Sequence, residues 1–220
     1  MLLPALLACL LALSAAPAAA VNGAEVIERM QKRLAKSKSF SARFEKRFYW
    51  AVLDKRLTQK GRIYTRKPGK FRVEVGEDLV VADGRSIWAY TEQNRQVIVS
   101  DYDAGLQTPW EILVDYTESF TPVSILETEL SGRSCYAVVL QPLRQGTAGE
   151  GGRIERMEVW VDKRRWHLLQ IEQLEENGDL RTYLLDDHKL DKKLDDDLFL
   201  FEAPPGVDVI DRRTSGTLEP

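Results

Sequence analysis

One stretch of the sequence, residues 61–90, constrains the fold more than any other because it contains four short strands together with the turns between them. Turns are expected at residues 67–70, 76–78 and 83–85, where Pro68, Gly69, Gly76 and the Asp83-Gly84 pair supply the backbone angles of tight turns. The segments between the turns are rich in β-branched and aromatic residues, which favour strands. Connections of two to four residues leave no room for crossover helices. Neighbouring strands should therefore pair antiparallel in one continuous, curling sheet.

Length and charge limit the class of protein. The chain has 220 residues, of which 44% are hydrophobic and 30% charged, which is typical of a globular protein. One domain, spanning residues 21–220, is expected. The net charge of −3 supplies no overall basic field, so nucleic acid is disfavoured as a partner.

The first 20 residues resemble a targeting segment. An uncharged apolar run is followed by small residues that end at Ala20, which predicts a secretory signal peptide cleaved near that residue. The alternative, a transmembrane helix, is disfavoured because the run is short and is flanked by Pro4 and Pro17. Cleavage would leave Cys135 as the only cysteine, which excludes an internal disulfide and a cysteine-based metal site.

Periodicity predicts the remaining elements. Residues 24–37 place Val26, Ile27, Met30 and Leu34 on one stripe of an amphipathic helix, and a strand with one apolar face begins at Ser39. Residues 108–114 predict a short second helix, with a threonine at its N-cap and a proline at its first position. Further strands are expected at residues 95–100, 122–130, 134–142, 153–162, 165–175 and 179–189, before an apolar extended segment at the C-terminus.

The expected fold class is mainly β with helices. Ten to eleven antiparallel strands in one sheet must curl, and the two or three helices have only its concave side on which to bury their apolar stripes. Some strands are apolar on one side and charged on the other; Met157, Val159 and Val161 alternate with charged neighbours. Because a few helices would not fill such a sheet, we expect a half-barrel with a helical lid over an apolar cavity.

Several motifs, in order, resemble a known family. They are Phe40-Ser41-Ala42-Arg43-Phe44, the pattern G-x-I-Y-x-R-K-P-G-x-F-R-V over residues 61–73, Val81-Ala82-Asp83-Gly84 with Trp88 and Tyr90, and Pro204-Pro205-Gly206-Val207. Together they are similar to the LolA family of periplasmic lipoprotein carriers. The resemblance covers nearly all of the chain after residue 20. It implies an eleven-stranded half-barrel closed by helices.

The resemblance also implies partners and a site. A monomer would receive acylated lipoproteins from an inner-membrane ABC transporter of the Lol type and deliver them to an outer-membrane receptor. The acyl cavity would be lined by Phe40, Phe44, Phe48, Ile63, Phe71, Val73, Ile87, Trp88, Val159 and Val161, with Phe71 at its rim. The lid and its latch would include Leu34, Lys67, Trp110 and Leu113.

The latch position departs from the family pattern. In LolA-like carriers an arginine precedes the strand-turn proline and bonds to the lid helices, whereas here Lys67 occupies that position and Arg66 should face the other way. Lysine donates as a point charge and not as a planar fork, so the latch should be weaker or differently aimed. An exposed turn residue is the alternative for Lys67.

Catalysis is not expected. His167 and His188 lie on different predicted strands, and no nucleophile motif accompanies Cys135 or the serines. The acidic runs lack the spacing of an oxygen-ligand loop, so no metal and no cofactor are expected. Two other functions stay open: a lipid-sensing or free-lipid-binding protein of the same fold, and a periplasmic hydrolase that uses a pair of carboxylates inside the cavity.

Overall fold

The computed structural model describes residues 21–102, 119–144 and 153–214, and these residues form one large sheet with a helix on one side. The helices are α1 (Gly23–Ala35) and a 3-10 helix (Asp196–Phe199). The strands are β1 (Ser39–Trp50), β2 (Lys55–Arg66), β3 (Lys70–Val75), β4 (Asp78–Asp83), β5 (Ser86–Thr91), β6 (Gln96–Asp101), β7 (Phe120–Leu130), β8 (Arg133–Pro142), β9 (Ile154–Asp162), β10 (Leu168–Glu175), β11 (Leu180–Leu190) and β12 (Asp208–Asp211).

Helix α1 begins and ends on local signals. The side chain of Asn22 accepts a hydrogen bond from the Glu25 backbone N–H at 2.9 Å, which caps the first turn. Its apolar stripe, Val26, Ile27 and Met30, is buried against the sheet. The expected first helix is therefore confirmed, and it contacts β7, β8 and β9.

The strand order is β12-β6-β5-β4-β3-β2-β1-β11-β10-β9-β8-β7. Every neighbouring pair is antiparallel except β12 and β6, which are parallel. The expected single curled sheet is confirmed. The sheet has twelve strands instead of ten or eleven because the apolar C-terminal segment, expected only to be extended, adds β12 at the edge beside β6.

Cross-strand register divides the sheet into two faces. On the inner face, where α1 packs, one row of directly paired residues runs across seven strands: Ala42, Ile63, Val73, Val80, Ala89, Ile98 and Ile210. A second inner row consists of Phe40, Thr65, Phe71, Ala82 and Ile87. The main hydrophobic core lies between this face and α1.

The outer face of β4–β6 is also apolar, and the C-terminal segment covers part of it. Phe201 and Val207 pack against a second, smaller cluster formed by Tyr90, Val97 and Val99. Upstream of them, the 3-10 helix contacts β3 and β4. The central positions of β4, β5 and β6 are therefore apolar on both faces of the sheet.

The expected helix at residues 108–114 lies outside the described residues, as do residues 1–20 and 145–152. Within the ranges that are described, no helix combines the length and the apolar character needed to span a bilayer.

Candidate functional site

The inner face of β4–β6 carries an apolar surface that the two hydrophobic clusters do not include. Val80, Ile87, Ala89 and Ile98 are half-buried there, and we call them the inner patch. Val80 pairs with Ala89, and Ala89 with Ile98, so three of the four side chains form one continuous row. Sequence reasoning found only Ile87. No sequence signal singled out the other three, because β4–β6 are apolar at consecutive positions and alternation alone does not indicate which face is inner.

The inner patch is continuous with residues that the sequence did single out. Ile63 is buried in the main core, and Val73, half-buried, packs against that core and pairs with Val80. The structure thus brings Ile63, Val73 and Ile87 together on one face with the patch. Apolar surface arranged in this way is suited to holding an apolar ligand rather than to chemistry.

Phe71 lies on the same face but not at an exposed rim. Its side chain is only 5% exposed, between Thr65 on β2 and Ala82 on β4. The prediction of a rim position is therefore wrong, because the turn at Pro68-Gly69 does not hold this residue out into water. A carboxylate placed here would be desolvated, so Phe71→Glu should destabilise the fold.

Helix α1 covers the other half of the inner face. Phe40, Val159 and Val161 are almost completely buried in the core beneath it. Phe44 is half-buried and its ring lies over Gly61, where an added Cβ would clash with the ring. Phe48 is half-buried further along β1, towards the end of the β1–β2 hairpin.

The prediction that Trp88 lines the cavity is wrong, because this residue lies on the outer face of the sheet. It pairs with Val81, which pairs with Arg72, and this row lies on the outer side of the sheet. There Trp88 stacks on Phe201, with ring centroids 6.2 Å apart. Since Ile87 precedes Trp88 in the same strand, strand alternation does not allow both to face the cavity.

The predicted latch residue does reach a helix. Lys67 Nζ donates a hydrogen bond to the Ala35 carbonyl oxygen, at 2.8 Å, at the C-terminal end of α1. A cation there satisfies a free carbonyl and complements the helix dipole. Arg66 faces the other way, as expected, and donates to the Leu194 carbonyl oxygen at 2.8 Å. The role of Lys67 in closing the site stays a prediction.

Leu34 is half-buried against the core, one residue before Ala35. The other two predicted lid residues, Trp110 and Leu113, lie outside the described residues.

Two histidines lie beneath this end of α1. The rings of His167 and His188 have centroids 5.2 Å apart, and His188 Nε2 donates to the Leu168 carbonyl oxygen at 2.7 Å. Burial, followed by the nearby charges of His188 and Arg33, lowers the pKa of His167 from 6.5 to about 4. Burial also lowers the pKa of His188. Both rings are therefore neutral at pH 7, and they form part of the support for the helix end.

An open groove of about 680 Å³ lies beside Phe44 and Gly61, and half of its lining residues are charged. The charged side chains are Arg43, Glu45, Arg47, Lys60, Arg62, Glu74, Arg133 and Asp186. This lining does not suit an acyl chain, so the inner patch and not the groove is the candidate apolar site.

The geometry does not favour the hydrolase alternative. Glu158 and Glu172 are directly paired on β9 and β10, and burial, with the charge of Glu172, raises the pKa of Glu158. Val159 and Ile171, the pair next to them, face the inner core, so both carboxylates lie on the outer face. They do not converge on the inner patch. Among the described residues, no group of three or more His, Cys, Asp or Glu side chains is placed to hold a metal ion.

A twelve-stranded curled sheet with a helix and a half-buried apolar patch on the same inner face defines a class of binding proteins for apolar ligands. Residues 35–202 match the sequence model of the family described as outer membrane lipoprotein carrier protein LolA. The chain belongs to this family.

Curated relatives agree with this assignment. The chain is 28% identical over 204 residues to an outer-membrane lipoprotein carrier protein of Pseudomonas aeruginosa PAO1, covering 91% of this chain and 94% of the relative. It is 29% identical over 172 residues to one of Nitrosospira multiformis, covering 74% and 79%.

Two solved structures share the fold. An uncharacterized conserved protein of Thermus thermophilus has a TM-score of 0.56 at 17% identity, covering 86% of this chain and 98% of that one. A structure of the Pseudomonas aeruginosa MucA/MucB complex has a TM-score of 0.53 at 14% identity, covering 82% and 61%.

Proposed function

We propose that this protein is a periplasmic carrier that holds the acyl chains of lipoproteins against the inner face of its sheet and moves them from the inner to the outer membrane. The observation that carries the proposal is the inner patch, an apolar surface on β4–β6 that the described residues leave half-buried. Membership of the LolA family and the names of the relatives support the cargo class. Binding, and not catalysis, is the activity.

The physics of such a carrier requires tight but reversible binding. Each methylene removed from water contributes about 0.8 kcal/mol, so a 16-carbon chain represents about 12 kcal/mol before entropic costs. Cargo that extends from the inner patch under α1 would have to displace this helix, which lowers the net affinity because part of the binding free energy is used to move it. The hydrogen bond from Lys67 to the end of α1 and the histidines beneath it would set the cost of that displacement.

The same proposal names the partners in each membrane. Cargo would come from an inner-membrane ABC transporter of the Lol type and pass to an outer-membrane receptor. Residues 1–20 would act as the signal peptide that directs export.

The test compares one lipoprotein in acylated and non-acylated forms. We expect the purified protein to bind only the acylated form, and Ile98→Asp to abolish binding without unfolding the protein. Leu126→Asp, on the outer face of β7 and 65% exposed, is the matched control and should bind normally. Mass spectrometry of what co-purifies from periplasm completes the test. Recovery of free phospholipid, with no competition by acylated protein, would replace the proposal with a free-lipid-binding function.

A further inference from the structure

We propose that the end of the β1–β2 hairpin, residues 45–60, is a docking surface for a membrane that carries anionic lipid headgroups. We call these residues the hairpin tip. The role of this docking in cargo transfer rests on the proposed function, whereas lipid binding by the hairpin tip can be measured without any cargo.

The first observation is a concentration of exposed apolar side chains. Trp50 is 48% exposed, Val52 84%, Leu53 52% and Leu57 56%, all within eight residues. Apolar residues exposed singly are common, whereas a group of them marks an interaction surface.

The second observation is charge. The hairpin tip contains five basic residues and two acidic ones, although the whole chain has a net charge of −3. The basic residues are Lys46, Arg47, Lys55, Arg56 and Lys60. Glu45 pairs with both Arg47 and Lys60, so an excess of positive charge remains. Basic residues beside aromatic and aliphatic ones are the composition that binds the interface of an anionic membrane.

The third observation is that the tip projects on a preformed support. The β1–β2 ladder continues from Gly61 to the pair Trp50 and Lys55, whereas the β2–β3 ladder ends at Gly61. Among the described strands, β1 is thus the only partner of residues 55–60. The Ala51 backbone N–H donates to Asp179 Oδ1 at 2.9 Å, which fixes the turn against the β10–β11 connection. The apolar side chains are therefore held out without the ordering cost of a flexible loop.

The tip is also continuous with the face that carries the site. Phe48 pairs with Leu57, and the alternation of β1 places both on the same side as Ala42 and Phe44. The rings of Phe48 and Trp50 have centroids 5.3 Å apart. The polar pair Lys46 and Gln59 lies between these apolar residues and Phe44, so a membrane bound at the tip would lie at one end of this face.

Vesicle co-sedimentation tests the proposal with the purified protein. We expect binding to vesicles of phosphatidylglycerol and phosphatidylethanolamine, weaker binding to phosphatidylcholine alone, and loss of the difference in high salt. The double variant Val52→Asp, Leu53→Asp should lower the partition coefficient at least about tenfold, since burying two aliphatic side chains contributes that order of affinity. The double variant Val123→Asp, Leu126→Asp introduces the same two charges on β7, at residues that are 49% and 65% exposed, and should bind within about twofold of wild type.

Equal binding of the wild type and the double variant Val52→Asp, Leu53→Asp to anionic vesicles would overturn the proposal. If that double variant also fails in lipoprotein transfer, the tip is a contact for a protein partner. Binding of acylated cargo in solution keeps the two ideas separate: a wild type that binds vesicles but no acylated cargo contradicts the proposed function and leaves the docking surface standing.

Discussion

Val80 and Val81 are adjacent on β4 and face opposite sides of the sheet, which makes them a sharp test of the site. Val80 is half-buried in the inner patch, whereas Val81 is fully buried on the outer face. We expect Val80→Glu to remain folded and to lose binding of acylated cargo. We expect Val81→Glu to fail to fold.

The difference follows from burial. A fully buried valine contributes about 1.5–3 kcal/mol, and an unpaired carboxylate in its place costs several kcal/mol more. The total for Val81→Glu approaches the whole stability of a typical domain, about 5–15 kcal/mol. For Val80→Glu the longer side chain can bring its carboxylate to water. The loss should be about 1–2 kcal/mol, or a fall in Tm of roughly 3–6 °C.

Circular dichroism melts and binding of the acylated lipoprotein measure the two effects separately. Alanine substitutions provide the controls. Val81→Ala should cost about 2–3 kcal/mol through lost contacts and a cavity, and Val80→Ala about 1 kcal/mol with binding retained. The reasoning is refuted if both glutamate variants melt at the same temperature, or if Val80→Glu binds cargo as tightly as the wild type.

Three further perturbations test the supports of the site. Lys67→Leu removes the hydrogen bond to Ala35, so the helix end should be about 1 kcal/mol less stable and cargo should exchange faster. Lys67→Arg is the control, because it keeps a donor. Equal transfer rates for Lys67→Leu and the wild type in a spheroplast release assay would count against the latch. The pKa of His167 is about 4 in the folded protein and near 6.5 in the unfolded chain, so between these pH values the unfolded chain binds more protons. The free energy of unfolding should therefore fall as pH drops from 6.5 to 4, by about 1–2 kcal/mol for this partly exposed ring. Urea titrations across that range should show a flatter pH dependence in His167→Asn, and an unchanged one would contradict the assignment. Gly61→Ala would drive a methyl group into the Glu74 backbone oxygen on β3, so it should lower Tm markedly and separate β2 from β3; a Tm within about 2 °C of wild type would refute this.

The positions of the turns, of α1 and of the long strands could be predicted from the sequence alone. Gly69, Gly76 and Gly84 all adopt positive φ angles, at the turns where their freedom predicts them. Helix α1 and the long strands follow from the 3.6 and 2.0 residue periods, and the order of short turns leads to a single antiparallel sheet. These features depend on contacts between residues close in sequence, which the sequence itself displays.

Tertiary structure decided which face each apolar residue occupies. Strand β5 is apolar on both sides, so alternation separates Ile87 from Trp88 without indicating which of them faces inward. The answer comes from Phe201, which lies far along the chain and packs on the outer face beside Trp88. The parallel pairing of β12 with β6 and the burial of Phe71 have the same origin. Both depend on contacts between segments that are distant in sequence, and the local sequence pattern of a strand does not indicate which distant segment will pack against it.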